Sequence, residues 1–316
     1  MRNIGLGTAA IGRPIYINIR HEKPRVDLSL PEFREKGISI LNNAYDKGVR
    51  FFDASPGYGL AESLLIEWLR QKNDPDIVVA TKWGFSYVAD FDINATLHEV
   101  KEHSLEKLNA QWEFSRKLLP NLRIYQIHSA TLDTGVLDNK AILQRLNQIK
   151  KDHNIIIGLT TTGVNQLDVL KKAIAIHIKG EPLFGSFQST YNIMEQSILP
   201  LKEIFLNTKR QLIIKETLAN GRLIPNTSFK EHIGLYNDII KLADKYNVGA
   251  DAIGIRFCID SFPDAVVLSG ASSVNQLLSN LESKTFKLQK EEIELLGSYK
   301  IDPIKYWGER KQLSWQ

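Results

Sequence analysis

Cysteine, methionine and metal-binding motifs are almost absent from this sequence. Among 316 residues there are one cysteine, Cys258, and two methionines, and the seven histidines include no HExxH segment. A lone cysteine cannot form a disulfide within the chain, nor supply a cysteine-based zinc site. Cys258 lies in an apolar helical pattern with Ile255 and Ile259, so we interpret it as a core residue. We expect neither a disulfide framework nor a metal.

Features typical of nucleic-acid and membrane proteins are also missing. Lysine plus arginine total 40 and aspartate plus glutamate total 36, which gives a net charge of +4. No run of five basic residues occurs, and no apolar stretch reaches transmembrane length. With 43% hydrophobic and 24% charged residues, the composition is ordinary for a globular protein. We predict a cytoplasmic protein that binds neither nucleic acid nor a membrane.

What the sequence does contain is a regular alternation of short apolar runs and helical patterns. Such runs are typical of parallel strands that are covered on both faces. The predicted strands span residues 4–8, 49–53, 77–82, 122–127, 155–159, 184–188, 212–215 and 265–268, with helices at about 32–46 and 95–118. Eight strand–helix units in about 300 residues predict an α/β fold, a single-domain (β/α)8 TIM barrel over residues 1–316. An open doubly wound sheet is the alternative, but residues 5–10 lack the third glycine of its nucleotide-binding turn.

Four polar residues fall where this barrel would have its mouth. Asp53, Lys82 and His128 each end an apolar strand, and Tyr58 follows the second strand. A buried lysine needs a partner, and Asp53 on the neighbouring strand is the natural one. Taken singly, these residues have other interpretations: a structural ion pair, a satisfied histidine and an ordinary loop aromatic. Together they have the arrangement of an active site, and we call them the tetrad.

The tetrad can do acid–base chemistry on a carbonyl. A phenol ionises near pH 10 in water, and a neighbouring ammonium is expected to lower the pKa of Tyr58. Asp53 would hold Lys82 in place, and His128 would orient a carbonyl oxygen. Together they would protonate the alkoxide that forms when hydride reaches a carbonyl. No residue can donate hydride, so this chemistry requires a nicotinamide cofactor.

Motifs along nearly the whole chain resemble those of the aldo-keto reductase superfamily. They lie at residues 5–8, 48–62, 80–82, 125–128, 157–160, 187–192, 221–223 and 269–280. The resemblance implies an NAD(P)-dependent reductase or dehydrogenase, with Tyr58 as acid/base and the other tetrad members in support. The cofactor-binding residues that it implies are Gly7, Thr8, Thr160, Thr161, Gln188, Lys215, Thr217, Leu218, Gly221, Arg222, Ser269, Gly270, Ala271, Ser272, Gln276 and Asn280.

Two positions depart from the family pattern. Lys215 stands where an aromatic usually stacks on the nicotinamide. Its methylene stem could cover the ring, its charge could bind an anionic substrate, or the alignment could be displaced by a residue or two. Gln276 stands where many members that bind the 2′-phosphate have an arginine, although Ser272 and Ser273 offer hydroxyls there. We favour NADP(H) and leave NAD(H) open.

The substrate is expected to be a small carbonyl or alcohol compound, with a sugar as one candidate. Aromatics and arginine near a mouth suit a polyhydroxylated or anionic compound. The predicted substrate contacts are Tyr16, Trp83 and Trp307, with Arg20, His21, Phe85, Tyr87, Tyr306 and Arg310 nearby. Two other functions remain open: a Schiff-base lyase that uses Lys82 as nucleophile, and a cofactor-binding regulatory subunit similar to the potassium-channel β-subunits.

Overall fold

Eight parallel strands close into a barrel in the computed structural model, which describes residues 4–19, 28–227 and 229–315. Each strand pairs with the next along the chain, and the last pairs with the first. The strands are β1 (Ile4–Gly7), β2 (Phe51–Asp53), β3 (Val78–Trp83), β4 (Leu122–Ala130), β5 (Ile156–Thr161), β6 (Phe184–Thr190), β7 (Gln211–Lys215) and β8 (Val266–Ser269). The predicted (β/α)8 barrel is confirmed.

Helices surround the barrel. They are α1 (Ala9–Gly12), α2 (Leu30–Asp46), α3 (Ala61–Lys72), α4 (Leu105–Ser115), α5 (Lys140–His153), α6 (Gln166–Ile174), α7 (Lys202–Leu206), α8 (Ile233–Tyr246), α9 (Ala250–Ser261), α10 (Val274–Leu281), α11 (Lys290–Gly297) and α12 (Pro303–Lys311). Side-chain caps fix several starts: Ser29 and Glu32 form a capping box at α2, and Ser273 accepts from the amide of Gln276 at α10. Such caps satisfy backbone amides that a helix start leaves unpaired.

Alternation along the strands places the tetrad inside the barrel. The interior cluster contains Phe51, Ala80, Ile124 and Ile213, whereas the residues between them pack outward against the helices. Because side chains alternate with period two, the next inward positions after Phe51 and Ala80 are Asp53 and Lys82. The same step leads from Ile213 to Lys215, and two such steps lead from Ile124 to His128. The apolar floor is therefore followed by a polar layer at the carboxyl ends of the strands.

The segment after β3 differs from the prediction. The helix predicted over residues 95–118 begins only at Leu105, where Ser104 caps the amide of Lys107. Before it, Glu99–Lys101 pairs antiparallel with Phe85–Tyr87, so the expected loop is a hairpin beside the barrel mouth. Glu99, Val100 and Lys101 alternate polar and apolar side chains, which fits a strand better than a helix.

The N-terminal loop connects two distant parts of the rim. Ile17 forms a bridge with Trp315, and the Ile19 amide donates to the Asn220 carbonyl over 2.9 Å. Asn220 returns a bond from Nδ2 to the Ile17 carbonyl over 3.0 Å. These contacts join the loop after β1, the loop after β7 and the C-terminal segment at one side of the mouth.

Two further expectations concern the cysteine and the length of the helices. Cys258 is fully buried on α9, where its Sγ lies 3.3 Å from the Tyr191 carbonyl oxygen, as expected for a core residue. Burial raises the pKa of its thiol. Within the described ranges, every helix is too short or too polar to cross a membrane.

Candidate active site

Asp53 and Lys82 form a buried ion pair between β2 and β3. Lys82 Nζ donates to Asp53 Oδ2 over 2.5 Å and to the Ala54 carbonyl over 2.8 Å. The other carboxylate oxygen accepts from Gln188 Nε2 over 2.8 Å, so β6 also holds Asp53. Thr8 donates to the Asp53 carbonyl through both its amide and its hydroxyl, over 2.9 and 2.8 Å. The ion pair expected from the sequence is present, and each of its groups has several fixed partners.

Tyr58 reaches the same place from a tight turn. Residues Pro56–Tyr58 form a 3-10 helix whose start is capped by Ser55 Oγ, which accepts from the Gly57 amide. Lys82 Nζ lies 4.7 Å from the centre of the Tyr58 ring. The Tyr58 hydroxyl lies 3.5 Å from His128 Nε2. The phenol therefore contacts both the amine and the imidazole of the tetrad.

His128 is held on both sides of its ring. Its Nδ1 shares a hydrogen bond with Ser55 Oγ over 3.0 Å, and the Phe85 ring packs against it with centres 4.6 Å apart. His103 Nε2 lies 2.9 Å from the His128 carbonyl oxygen, which fixes the backbone at this point. Burial, followed by the charges of Lys82 and Lys215, holds the pKa of His128 well below its usual range. The imidazole is therefore neutral at neutral pH.

Burial also controls the protonation of Tyr58. Burial first, and then the Asp53 carboxylate, raise the pKa of Tyr58 well above its ordinary value, whereas Arg13 lowers it. This net direction is opposite to the lowering expected from Lys82 alone. Burial lowers the pKa of Lys82, and Asp53 opposes that shift. The arrangement favours a protonated phenol, which is the form that donates a proton.

The predicted inner cofactor residues divide into two orientations. Thr160 Oγ1 accepts from the Ser129 amide over 2.7 Å, on the inward side of β5 next to His128. Gln188 points inward to Asp53. Thr161 instead bonds to Ser189 Oγ over 2.8 Å on the outward side, because it is one residue out of phase with Thr160. The Thr161 side chain therefore faces away from the cofactor site in which the residue was predicted to take part.

The predicted outer cofactor residues lie together after β8. Ser269 Oγ donates to Asn280 Oδ1 over 2.6 Å and accepts from the Ala271 amide over 3.3 Å. Gln276 Oε1 accepts from the Ser272 amide and hydroxyl over 2.9 and 3.1 Å. Gly270 is exposed, and a Cβ there would meet nothing within 4 Å. These residues form an open, polar turn that leads into the start of α10.

Lys215 ends β7 on the inward side and has an acidic neighbour. Its Nζ donates to Thr190 Oγ1 over 3.1 Å and lies 3.6 Å from Glu216 Oε1. Glu216 also accepts a bidentate pair from Arg310, whose Nε donates to Oε2 over 3.0 Å and whose Nη2 donates to Oε1 over 2.7 Å. Burial would raise the pKa of Glu216, but Arg310 and Lys215 outweigh it and bring the value to about 2. A half-buried cation thus occupies the position at which the family resemblance implies an aromatic ring.

The loop after β7 packs against the N-terminal loop. A Cβ on Gly221, whose φ is +87°, would lie 2.7 Å from the Ile19 carbonyl oxygen, so glycine is required for this contact. Thr217 Oγ1 donates to the Leu268 carbonyl over 3.3 Å, and the Leu218 carbonyl accepts from the Gly221 amide over 2.9 Å. These residues remain predicted cofactor contacts.

Arg222 departs from the prediction. Its side chain is fully buried, and its Nη1 donates to Glu309 Oε2 over 2.9 Å and to the Tyr306 carbonyl over 3.2 Å. The guanidinium also lies over the Tyr306 ring, 4.1 Å from its centre. It therefore anchors α12 to the loop after β7. This side chain is therefore not free for the predicted cofactor contact of Arg222, which leaves only its backbone for that role.

The predicted substrate residues have different surroundings. Tyr16 lies beside Arg13, whose Cζ is 5.0 Å from the centre of its ring. Trp83 is fully buried and packs against His103, since Lys82 takes the inward position and alternation turns Trp83 toward the helices. The prediction that Trp83 contacts the substrate is therefore wrong. Trp307 is buried against Arg310 and stays a prediction, while Arg20 and His21 lie outside the described residues.

Comparison with known proteins identifies the family. The model of the Aldo/keto reductase family matches residues 3–300. The chain belongs to the aldo/keto reductase family. The L-galactose dehydrogenase of Arabidopsis thaliana is 31% identical to this aldo/keto reductase over 280 residues, covering 84% of this chain and 82% of that protein. Probable aldo-keto reductase 1 of Glycine max is 22% identical over 318 residues, covering 90% and 86%.

Solved structures agree with the fold. A glycerol dehydrogenase of Gluconobacter oxydans superimposes with a TM-score of 0.70 at 19% identity, covering 94% of this chain and 90% of that one. The holo form of an aldo-keto reductase of Bacillus halodurans gives 0.68 at 18% identity, covering 95% and 92%. At this identity the likeness establishes the (β/α)8 architecture. The family and the dehydrogenases and reductases among the relatives support an oxidoreductase.

Three residues of this aldo/keto reductase site were missed by sequence reasoning. Ser55 lies inside the motif at residues 48–62, and a hydroxyl three residues before Tyr58 was a usable signal. Arg13 and Glu99 bond to each other over 2.7 Å although they are 86 residues apart. One is in the loop after β1 and the other in the unexpected hairpin, so no local pattern predicts their contact.

Proposed function

We propose that this protein is an NAD(P)(H)-dependent oxidoreductase that interconverts a carbonyl compound and its alcohol, with Tyr58 as general acid/base. The observation that supports this most directly is the convergence of the tetrad. An ion pair of 2.5 Å, a phenol ring 4.7 Å from the amine and an imidazole 3.5 Å from the phenol lie at one end of the barrel. Segments spread over residues 53–128 supply these groups.

The residues around the tetrad suit a nicotinamide dinucleotide. At the inner end, the hydroxyl of Thr160 and the amide of Gln188 would hold the carboxamide, with Gly7, Thr8 and Lys215 beside the ring. At the outer end, the open backbone at Gly270 and the α10 start allow a phosphate to approach amide donors. The remaining proposed contacts are Thr217, Leu218, Gly221, Ser269, Ala271, Ser272, Gln276 and Asn280. When bound, the cofactor would supply or accept the hydride that no side chain can carry.

In the reducing direction, Tyr58 would donate its proton to the carbonyl oxygen. Its raised pKa keeps the phenol protonated until charge develops on that oxygen. The neutral His128 would hold the same oxygen by a hydrogen bond and set its orientation. Lys82 would stabilise the phenolate that remains, and Asp53 would keep the ammonium charged and in place. In the oxidising direction, the phenolate would take the proton from the alcohol.

NADP(H) is the proposed cofactor, with NAD(H) as the alternative. The polar turn at Ser272 and Gln276 offers hydroxyl and amide groups near a helix start, which favours an anion. Initial rates with NADPH and NADH, each titrated to saturation, test this choice. A higher kcat/KM with NADPH is expected, and a clear preference for NADH would overturn it.

The proposed substrate is a small carbonyl or alcohol compound, a sugar in particular. Relatives named for L-galactose and glycerol oxidation act on polyhydroxylated compounds. Tyr16 beside Arg13, together with Lys215 and Arg310, would contact such a molecule at the mouth. A panel of sugars, polyols and apolar aldehydes read by nicotinamide absorbance tests the class, and turnover of apolar aldehydes alone would contradict it. The proposed location is the cytoplasm, with no nucleic acid or membrane as partner.

Tyr58→Phe is the decisive variant. It removes the proton donor and leaves the ring, so kcat should fall by about 10²- to 10⁴-fold, while cofactor affinity stays within a factor of about two. Turnover is measured by absorbance and cofactor affinity by fluorescence titration. Tyr45→Phe is the matched control, because the Tyr45 hydroxyl bonds to Asp74 outside the barrel, over 2.8 Å. Near-normal kcat in Tyr58→Phe would contradict the assigned role.

The two other functions have separate tests. A Schiff-base lyase needs a free amine, and borohydride would then trap substrate on Lys82. The ammonium bonded to Asp53 at 2.5 Å disfavours that chemistry. A regulatory subunit would bind cofactor without turnover across the whole substrate panel.

A further inference from the structure

Arg13 is a buried cation close to the tetrad but outside it. The residue follows α1 and is 1% exposed. Its Nη1 donates to the Gly57 carbonyl over 2.9 Å and to Glu99 Oε2 over 2.7 Å. Gly57 is the central residue of the 3-10 turn that carries Tyr58. The guanidinium therefore connects that turn to the hairpin strand Glu99–Lys101.

The rest of the guanidinium is enclosed by aromatic rings. Its Cζ lies 5.3 Å from the centre of the Tyr58 ring, 5.0 Å from that of Tyr16 and 4.9 Å from that of Trp315. A cation at this distance from a ring face is attracted by the ring electrons, more strongly where water is excluded. One of those three rings belongs to the proposed acid/base, so the charge of Arg13 acts on it directly.

We propose that Arg13 is a positioning residue for Tyr58, which fixes the turn at Gly57 and holds a permanent positive charge against the phenol. This inference rests on the proposed function of Tyr58 and adds a residue to it. An arginine suits the task because its guanidinium stays charged at any working pH and bonds in several directions at once. A neutral side chain of similar length would fill the space without the charge.

Several other charged or titratable groups also face the phenol, and their effects have different signs. They are Asp53, Lys82, His128, Tyr16 and Glu99. Burial is the largest cause of the raised Tyr58 pKa, and Asp53, Tyr16 and Glu99 raise it further, while Arg13 lowers it. Arg13 and Glu99 are bonded to each other yet act in opposite directions. Removing the charge of Arg13 and removing that of Glu99 should therefore shift the Tyr58 pKa in opposite directions.

The test titrates the phenol itself and needs no turnover. A fluorinated tyrosine, which ionises at lower pH than tyrosine, is incorporated at position 58 of the full chain by amber suppression. Its ¹⁹F resonance is followed against pH in the parent, Arg13→Met, Arg13→Lys and Glu99→Gln backgrounds. We expect the titration midpoint to rise by about one pH unit in Arg13→Met. It should stay near the parent value in Arg13→Lys and fall in Glu99→Gln.

A purely structural Arg13 gives a different result. Loosening of the turn would lower the thermal midpoint of Arg13→Met and Arg13→Lys alike, without opposite titration shifts in Arg13→Met and Glu99→Gln. An unchanged titration midpoint in folded Arg13→Met would overturn the proposal. Titration shifts of the same sign in Arg13→Met and Glu99→Gln would also overturn it. The proposed function fails separately, if the parent protein turns over no carbonyl or alcohol substrate. Where the parent does turn over a substrate, the kinetics of Arg13→Met add a second readout, with kcat expected to fall more than KM rises.

Discussion

Replacing Lys82 with methionine should separate the contribution of the buried ion pair to stability from its contribution to catalysis. Methionine keeps most of the apolar stem and removes the ammonium. Lys82 is 0% exposed at its side chain and Asp53 is 3% exposed, so water cannot replace the lost partner. The change leaves a buried carboxylate that still accepts from Gln188 Nε2, at 2.8 Å.

The expected magnitudes follow from that geometry. Removing one partner of a buried pair costs about 3–5 kcal/mol of unfolding free energy. We expect the lower end, about 3 kcal/mol, because the bond from Gln188 persists. The fall in turnover should be larger than the unfolded fraction of the variant would cause. Without the ammonium, the phenolate of Tyr58 is not stabilised, and kcat should fall by about 10²- to 10⁴-fold.

A double-mutant cycle distinguishes the two contributions. Urea unfolding and nicotinamide-absorbance kinetics are measured for Lys82→Met, Asp53→Asn and the combined variant. The combined variant buries no unpaired charge, so it should recover about 2 kcal/mol relative to Lys82→Met. It should recover none of the lost kcat, because the ammonium is still absent.

Two results would refute this reasoning. Near-normal kcat in Lys82→Met at a temperature where it is folded would remove Lys82 from catalysis. Parallel recovery of stability and kcat in the combined variant would mean that the ion pair acts only on the fold. Circular dichroism at the assay temperature controls for unfolding in every variant.

Two further predictions concern Glu62 and Lys215. Glu62 Oε1 accepts from the hydroxyls of Thr81 and Ser115, both over 2.7 Å, and burial raises the Glu62 pKa from 4.5 to about 7. Its folded pKa exceeds its unfolded value, so the stability it contributes is present below about pH 4.5 and is lost as pH rises through 7. Glu62→Gln should therefore gain unfolding free energy relative to the parent across that window, by up to about 3 kcal/mol, in urea titrations at several pH values; no pH dependence in the difference would contradict this. Lys215→Met should raise KM for a carboxylate-bearing aldehyde about tenfold and leave KM for its neutral analogue unchanged, and equal effects on both substrates would exclude an anion-binding role.

The tetrad was predictable because strand periodicity and burial act locally. Asp53, Lys82 and His128 each end an apolar run, and parallel strands bring their carboxyl ends to one rim. Inward orientation follows from counting two residues along the strand from Phe51 and Ala80, and four residues from Ile124. The barrel and the meeting of these side chains thus follow from patterns a few residues long.

The predictions that failed depend either on a shift of one residue in the inward–outward alternation of a strand, or on a contact between residues far apart in the sequence. Trp83 and Thr161 are each one residue from an inward position, and that step turns them to the outer side. Arg222 binds Glu309, 87 residues away. Arg13 depends on Glu99, in a hairpin strand within the segment that was predicted to be helical. Long-range partners of this kind leave no trace in local spacing.

The bridge between Ile17 and Trp315 has a consequence for how the molecule is made. The last barrel strand ends at Ser269, and Trp315 lies well downstream of it in the sequence, so all eight strands can leave the ribosome before that tryptophan does. The rim beside Arg13 cannot be completed at that stage, because Trp315 follows all eight strands in the sequence and is still to emerge. During synthesis there is therefore an interval in which the barrel can close before this side of its mouth is complete.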